Sequence, residues 1–267
     1  MTILDRIVRT KRDEIARARS ARSLAELKTE LRRVQPPRDF YEAVTTIPAN
    51  GIHLIAEVKK ASPSAGIIVE GFDPAKIART YHRHGAAAIS VLTDSTFFQG
   101  RLEHIGTVKR GVPLPVLRKE FILDEYQLYE ARVAGADAVL LITEILGADA
   151  LAYLLEVTRS LRMTPLVEVH SDTTLRTAIE AGGVPGAGTY IMGINNRDLA
   201  IQKVDLTTTV RLARLIPRGA PFVAESGINR REDVLAMQRA GASAVLVGES
   251  LLRSSSIPDQ IDALLGR

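Results

Sequence analysis

Three short segments of the chain share one pattern and decide the predicted fold: GAAAI at 85–89, GADAV at 135–139 and GASAV at 241–245. Each segment follows an amphipathic helical stretch, so its glycine is typical of a helix C-cap and its apolar residues of the next strand. A second series begins at proline, with PVLRKEF at 115–121, PLVEVH at 165–170 and PFVAES at 221–226. The two series alternate with a repeat of roughly 50 residues, which is long enough for two βα units.

Two further apolar segments complete the predicted sheet, HLIAEVK at 53–59 and TYIMGIN at 189–195. Short continuous apolar strands that alternate with helices favour a parallel sheet. Eight such units in 267 residues predict an α/β fold of the (β/α)8 TIM-barrel type. An open Rossmann-type sheet is the alternative, weakened because no GxGxxG follows the first strand.

The predicted barrel is one domain that spans residues 1–267, of which about 1–48 form an N-terminal helical extension. We expect two or three helices there, with a break at Pro36-Pro37, covering the bottom or the flank of the barrel. Because the chain ends soon after its last predicted helix, we also expect a monofunctional protein.

The composition excludes several classes of function. The chain has no cysteine, which excludes disulfides, a thiol nucleophile and Cys-ligated zinc, and is compatible with a cytoplasmic location. The chain has no run of about 18 apolar residues, so no membrane span is predicted. A net charge of +4 permits nucleic-acid binding, but Trp is absent and aromatic residues total 4%, so a small anion is the preferred partner. We expect a monomer or a weak homo-oligomer.

Charged residues gather where the predicted strands end. The first strand ends with Glu57 and Lys59, the third with Lys119, the fifth with Glu168 and the seventh with Glu225. In this fold the carboxyl ends of the strands carry the active site, so two lysines and three glutamates converge on one rim. A solvated strand end is the alternative for each residue taken alone. Their joint occurrence predicts a site in which neighbouring charge and burial shift pKa values towards neutrality for acid–base chemistry.

The loops after the seventh and eighth strands are predicted to bind phosphate. Ser226-Gly227 follows the seventh strand and Gly248-Glu249 the eighth, where barrels commonly bind phosphate through backbone N–H groups. A phosphorylated small molecule is therefore the expected substrate. The five histidines lack a metal-ligand spacing, so we predict no metal and interpret them as structural or surface residues.

These motifs together resemble the indole-3-glycerol phosphate synthase family. The resemblance rests on HLIAEVKKASPSAG, LTDSTFFQG, PVLRKEF, LVEVH, GINNRDL, VAESGI and VLVGESL, which occur in the family's order along essentially the whole chain. It implies a cofactor-free carboxy-lyase of tryptophan biosynthesis. Such an enzyme closes the ring of 1-(2-carboxyphenylamino)-1-deoxyribulose 5-phosphate with loss of CO2 and water.

The resemblance also implies a role for each matching residue. Lys119 would be the general acid and Glu168 the general base of the dehydration, with Lys59 as a second lysine near the substrate anions. Glu57 would orient the lysines and Glu225 would be a supporting carboxylate. The substrate contacts fall into three groups: polar groups on Asn195, Arg197 and Ser62, apolar walls from Phe98, Phe121 and Leu199, and a phosphate frame from Ser226, Gly227, Gly248 and Glu249.

Four features depart from the family pattern. Glu120 stands where Asp is common, Arg101 where Ser is common, and Glu249 where Ser is frequent, so that its carboxylate should turn away from the phosphate. A few extra residues precede the sixth strand, at the end remote from the chemistry. Two alternatives remain open: a Schiff-base phosphosugar aldolase using Lys59 or Lys119, and a non-catalytic phosphate-binding barrel.

Overall fold

Eight parallel strands close into a barrel in the computed structural model, which describes residues 2–46, 48, 51–199 and 201–267. The strands are β1 His53–Val58, β2 Ala88–Leu92, β3 Val116–Lys119, β4 Ala138–Ile142, β5 Thr164–Val169, β6 Ile191–Asn195, β7 Phe222–Glu225 and β8 Ala244–Val247. Each strand pairs with its neighbours in chain order, and β8 pairs back with β1. The predicted TIM barrel is confirmed and the open-sheet alternative is wrong.

Helices follow the strands around the outside of the barrel. They are α4 Pro74–Arg83, α5 Glu103–Gly111, α6 Glu125–Val133, α7 Thr143–Ser160, α8 Asp172–Gly182, α9 Thr207–Leu212, α10 Arg231–Arg239, α11 Glu249–Leu252 and α12 Ile257–Leu265. Helix α7 is interrupted at Gly147, and a 3-10 turn at Ala213–Leu215 follows α9. Within the described ranges, no helix has the length and apolar character needed to cross a membrane.

The three repeated glycines terminate helices as predicted. Gly85, Gly135 and Gly241 lie just past α4, α6 and α10, with φ of 84°, 96° and 96°. After each glycine, the next N–H donates to a carbonyl five residues back, as in Ala86 N to Tyr81 O at 3.0 Å. This is the Schellman motif. Glycine adopts its left-handed conformation at little energetic cost, and the N–H groups that follow satisfy the last carbonyls of the helix.

Side-chain alternation along the strands separates two apolar cores. Residues such as Leu54, Ala56 and Val58 point outward and pack beneath the helices. Residues of the other parity, such as Ile55 and Leu117, fill the interior of the barrel. The interior parity continues past the apolar layers to the carboxyl ends of the strands, so the charged residues predicted there face the mouth of the barrel.

The N-terminal extension holds three helices, α1 Ile3–Ala21, α2 Leu24–Leu31 and α3 Phe40–Thr45, with the predicted break around Pro36-Pro37. Helix α3 closes the bottom: Arg38 just before it donates to the carbonyls of Val112 and Leu114, which precede β3. Helix α2 packs on the flank against α6. The predicted location is therefore right for α2 and α3.

For α1 that location is wrong, because this helix lies at the mouth. Its Lys11 is 3% exposed and contacts Asp94 after β2 at 2.9 Å and Glu120 after β3 at 3.0 Å. Glu14 on the same helix contacts Lys11 at 2.6 Å. Burial opposes the charge of Lys11, but these carboxylates more than compensate and raise its pKa. A buried ammonium needs such partners, and they exist at the carboxyl ends of the strands.

Lys11→Met is expected to destabilise the fold. It leaves Asp94 and Glu120 buried without one of their cations, and the free energy of unfolding should fall by about 3 kcal/mol. Urea unfolding monitored by circular dichroism measures this change. Arg9→Met, which removes an exposed positive charge from the same helix, serves as the control and should change the value by less than about 0.5 kcal/mol. Equal effects of the two substitutions would contradict the role of Lys11.

Candidate functional site

A cavity of about 400 Å³ opens at the carboxyl ends of the strands, within the size range of small-molecule sites. All fifteen residues predicted for the site line it: Glu57, Lys59, Ser62, Phe98, Lys119, Phe121, Glu168, Asn195, Arg197, Leu199, Glu225, Ser226, Gly227, Gly248 and Glu249. The alternative of separate solvated strand ends is therefore wrong, because the charged residues share one enclosed space.

Lys119 is the electrostatic centre of the cavity. Its Nζ donates to Glu168 Oε2 at 2.8 Å and also to Glu225 Oε2. Both glutamates are 1% exposed, since they project from β5 and β7 across the barrel interior towards β3. Gly193 on β6 makes room for this arrangement, because a Cβ there would overlap Glu225 Oε1. The single positive charge of Lys119 therefore cannot neutralise both buried carboxylates.

This charge imbalance shifts the pKa values apart. Burial opposes the charge of Lys119, but Glu168, Glu225 and Glu57 outweigh it and raise its pKa. Burial also opposes the charge of Glu168, yet Lys119 lowers its pKa below the usual range. Burial together with the charge of Glu168 raises the pKa of Glu225 to about 7, against the pull of Lys119. The predicted shift towards neutrality therefore occurs at Glu225 and not at the lysine.

The second predicted lysine lies beside the first strand. Lys59 contacts Glu57 at 2.8 Å, as expected for residues two positions apart on one strand face. Across the cavity, Asn195 Oδ1 accepts the backbone N–H of Arg197 at 3.0 Å and so fixes the turn after β6. Lys59 and Arg197 thus add two cationic residues to the lining of the cavity beside Lys119.

The loops after β7 and β8 bring backbone close to the cavity. Ser226 and Gly227 both adopt left-handed φ, 65° and 78°, and such a conformation at a serine is costly and typical of functional sites. Gly248 lies against Glu57, where a Cβ would come within 2.6 Å of Glu57 Oε1. The carboxylate of Glu249 pairs with Arg253 at 3.0 Å and lies 3.8 Å from Arg197. Arginine side chains therefore engage this carboxylate, and its orientation relative to a phosphate stays a prediction.

Aromatic side chains form another wall. The ring centroids of Phe98 and Phe121 are 6.2 Å apart. Asp94 Oδ1 accepts the N–H of Phe98 at 3.1 Å, and Glu120 Oε1 accepts that of Phe121 at 2.9 Å. The same two carboxylates bind Lys11, so Glu120, the longer acid in the family position, holds the wall and α1 together.

A model of the indole-3-glycerol phosphate synthase family matches residues 4–264. A protein named indole-3-glycerol phosphate synthase from Chlorobaculum tepidum is 47% identical over 257 residues, covering 96% of this chain and 98% of its own. One of the same name from a Roseiflexus species is 46% identical over 273 residues, covering 99% of this chain and 98% of its own. The chain belongs to the indole-3-glycerol phosphate synthase family. The predicted resemblance is confirmed.

Solved structures support the fold alone. A 3-hexulose-6-phosphate synthase from Salmonella typhimurium has a TM-score of 0.63 at 14% identity, covering 80% of this chain and 97% of its own. A mutant tryptophan synthase alpha-subunit from Pyrococcus furiosus has a TM-score of 0.60 at 16% identity, covering 80% of this chain and 98% of its own.

Sequence reasoning missed several residues of this family member's site. Ile3, Leu4 and Ile7 of α1 line the cavity, and only the apolar face of α1 hinted at this. His170, grouped with the structural or surface histidines, has Nε2 3.4 Å from Glu168 Oε1. Its position two residues after Glu168 on the interior parity was the available signal. Where the structure describes the chain, no group of His, Asp and Glu side chains could hold a metal ion.

The two carboxylates on Lys119 should affect stability with different pH dependence. The unfolded chain ionises Glu225 near pH 4.5, whereas the folded protein keeps that proton to about pH 7, so stability falls over this range. Glu225→Gln removes this loss of stability. The difference in Tm between the variant and wild type should therefore shift in favour of the variant by about 2 °C or more from pH 5 to pH 8.

Glu168→Gln is the matched comparison. The pKa of Glu168 is lowered by folding, so its contribution is lost only as pH falls below the unfolded value of 4.5. This variant should melt below wild type throughout pH 5 to 8, measured by calorimetry. The deficit should narrow towards pH 8 by less than the Tm difference changes in Glu225→Gln, because burial still raises the pKa of Glu225 when Glu168 is absent. Parallel pH dependences of the two variants would contradict the assignment.

Proposed function

We propose that this chain catalyses the reaction for which its family is named: ring closure of 1-(2-carboxyphenylamino)-1-deoxyribulose 5-phosphate to indole-3-glycerol phosphate, CO2 and water. The observation that carries the proposal is the Lys119 ammonium, held by Glu168 and Glu225 inside a cavity with an aromatic wall and glycine-rich loops. A cytoplasmic location and a monomeric or weakly oligomeric state remain predictions from the sequence.

Lys119 is the general acid of the ring closure. The ring carbon that bears the carboxylate attacks the ketone carbon of the sugar chain, and Lys119 Nζ gives a proton to the ketone oxygen, which becomes a hydroxyl group. CO2 then leaves, and its bonding electrons restore the aromatic ring. The carboxylates around Lys119 support this role, because their charge keeps the lysine protonated at neutral pH.

Glu168 is the general base of the dehydration. It removes a proton from the carbon next to the ring nitrogen, while the new hydroxyl group leaves as water after taking a second proton from a lysine. The electrons of the broken C–H bond form the indole double bond. The contact of Glu168 with Lys119 at 2.8 Å lets the abstracted proton return to the acid. Glu225, with its pKa near 7, supports the pair by sharing the charge of Lys119.

The other residues bind and orient the substrate. Phe98, Phe121 and Leu199 pack on its aromatic ring and exclude water, while Ser62, Asn195 and Arg197 contact its polar groups. Lys59, oriented by Glu57, lies near the substrate anions. Backbone N–H groups of Ser226, Gly227, Gly248 and Glu249 surround the phosphate, for which the left-handed pair at 226–227 is suited.

Family membership favours this activity over a Schiff-base aldolase or a silent binding barrel. An aldolase lysine must lose its proton to act as a nucleophile, whereas the carboxylates around Lys119 oppose that loss. Borohydride added during turnover should therefore trap no substrate adduct on Lys119 or Lys59. A stable adduct on either lysine, detected by mass spectrometry, would refute the acid–base scheme.

Lys119→Ala tests the general acid directly. Turnover, followed by indole fluorescence of the product, should fall by a factor of about 10² or more. Lys76→Ala is the matched control, because this lysine is exposed on α4, on the outside of the barrel. It should retain near-wild-type turnover. Equal turnover of the two variants would remove Lys119 from the mechanism, and a wild-type chain that binds the substrate without forming indole would refute the proposed function.

A further inference from the structure

A line of three side chains runs from the interior of the cavity wall to the rim. Glu168 Oε1 lies 3.4 Å from His170 Nε2, and His170 Nδ1 lies 2.6 Å from Glu144 Oε1. The exposed fractions of the three side chains rise in that order, 2%, 11% and 22%. The imidazole thus bridges a carboxylate of the proposed chemistry to one near solvent.

The backbone around His170 fixes this bridge. His170 follows β5 directly, and its N–H donates to Thr174 Oγ1 at 3.1 Å. The same hydroxyl accepts the N–H of Ser171 at 3.0 Å, and Ser171 caps α8. Glu144 comes from the first turn of α7, on the neighbouring βα unit. The ring is therefore held between two elements and has little freedom to turn away from Glu168.

Charge near His170 favours its protonated form. Burial opposes that form, but the hydrogen bond to Glu144 and the charges of Glu168 and Glu225 outweigh it and raise the pKa of His170. Lys119 faces the same group from β3, bound to both Glu168 and Glu225. Nδ1 of the imidazolium donates to Glu144, whereas Nε2 lies within ion-pair distance of Glu168 Oε1 at 3.4 Å without a hydrogen bond.

The proposed reaction gives this cation a role. When Lys119 passes its proton to the substrate, Glu168 and Glu225 lose the cation between them. Lys59 is already paired with Glu57. Among the described residues, the cation that still contacts Glu168 is then the His170 imidazolium.

We propose that His170, held by Glu144, is a positioning residue that keeps Glu168 ionised and aligned as the base while Lys119 is deprotonated. This inference rests on the proposed function, since it concerns the base of that reaction. The inference places a second layer, His170 directly after β5 and Glu144 on α7, behind the residues that contact the substrate. The pair acts through Glu168 and makes no direct contact with the reacting atoms.

The test is the pH dependence of kcat in matched variants. In His170→Gln, kcat should be lower than wild type by about tenfold or more at pH 6, where the imidazole is charged. The difference should shrink to about twofold as pH rises through the pKa of His170, because wild type then loses the same cation. KM should stay within about twofold of wild type.

Two further variants separate positioning from folding. Glu144→Gln keeps the imidazole but removes the carboxylate that favours its charge, so the pKa of His170 should be lower in this variant than in wild type. The kcat of Glu144→Gln should therefore begin to fall below that of wild type at a pH at which wild type still carries the imidazolium. His84→Gln, which breaks another histidine–carboxylate pair 3.3 Å long with Asp262, is the control and should follow wild type at every pH. A loss in His170→Gln that is constant from pH 6 to 8.5 would show a structural role only and overturn the proposal, as would an unchanged kcat.

NMR titration of labelled histidine in the full-length protein gives a readout independent of turnover. The His170 imidazolium should persist to higher pH in wild type than in Glu144→Gln or Glu168→Gln. Identical titrations in all three proteins would overturn the proposed bridge even if kcat varies. Absence of indole formation by wild type, with the expected titrations, would instead refute the function and leave the contact of His170 with Glu168 established.

Discussion

The organisation of the site depends on one ammonium group that lies between two buried carboxylates. Lys119 reaches across the barrel from β3 and contacts Glu168 of β5 and Glu225 of β7. A single positive charge cannot neutralise both partners. Glu168 is therefore held ionised, and the pKa of Glu225 is raised to about 7. A small residue, Gly193, on the intervening strand is required for the three side chains to meet. The raised pKa of Lys119, the lowered pKa of Glu168 and the raised pKa of Glu225 thus arise from one packing arrangement.

Much of the fold could be predicted because its signals are local. The glycine of each GAxA[IV] segment needs a left-handed conformation to end a helix, and the apolar residues after it need burial on both faces of a strand. Those requirements are written in consecutive residues, so eight strands could be placed without tertiary information. The positions of Glu57, Lys119 and Glu168 at the ends of predicted strands then assigned them to one rim, because the carboxyl ends of parallel strands meet at the same end of a barrel.

What escaped prediction depends on contacts between distant segments. Helix α1 lies at the mouth because Lys11 finds Asp94 and Glu120 there, and nothing in the helix itself shows where those partners are. The direction of the Lys119 pKa shift depends on how many carboxylates surround the lysine, so the predicted shift towards neutrality was wrong for Lys119. His170 shares the parity of Glu168, but its contact with Glu144 joins it to another βα unit, which the local sequence does not indicate. The sequence could therefore predict the positions of site residues that one strand determines. It could not predict the contacts that two separate elements form.

The segment between α8 and β6 shows how the fold divides its tasks. Residues 183–190 lie at the amino-terminal end of β6, remote from the cavity. Val184 within the segment is 57% exposed, and two of its glycines have positive φ. Length there can change while the carboxyl end of the same strand keeps Asn195 in place. The loop is accordingly a natural point for grafting a peptide tag or a reporter domain, at which the catalytic rim and its charges would be left undisturbed.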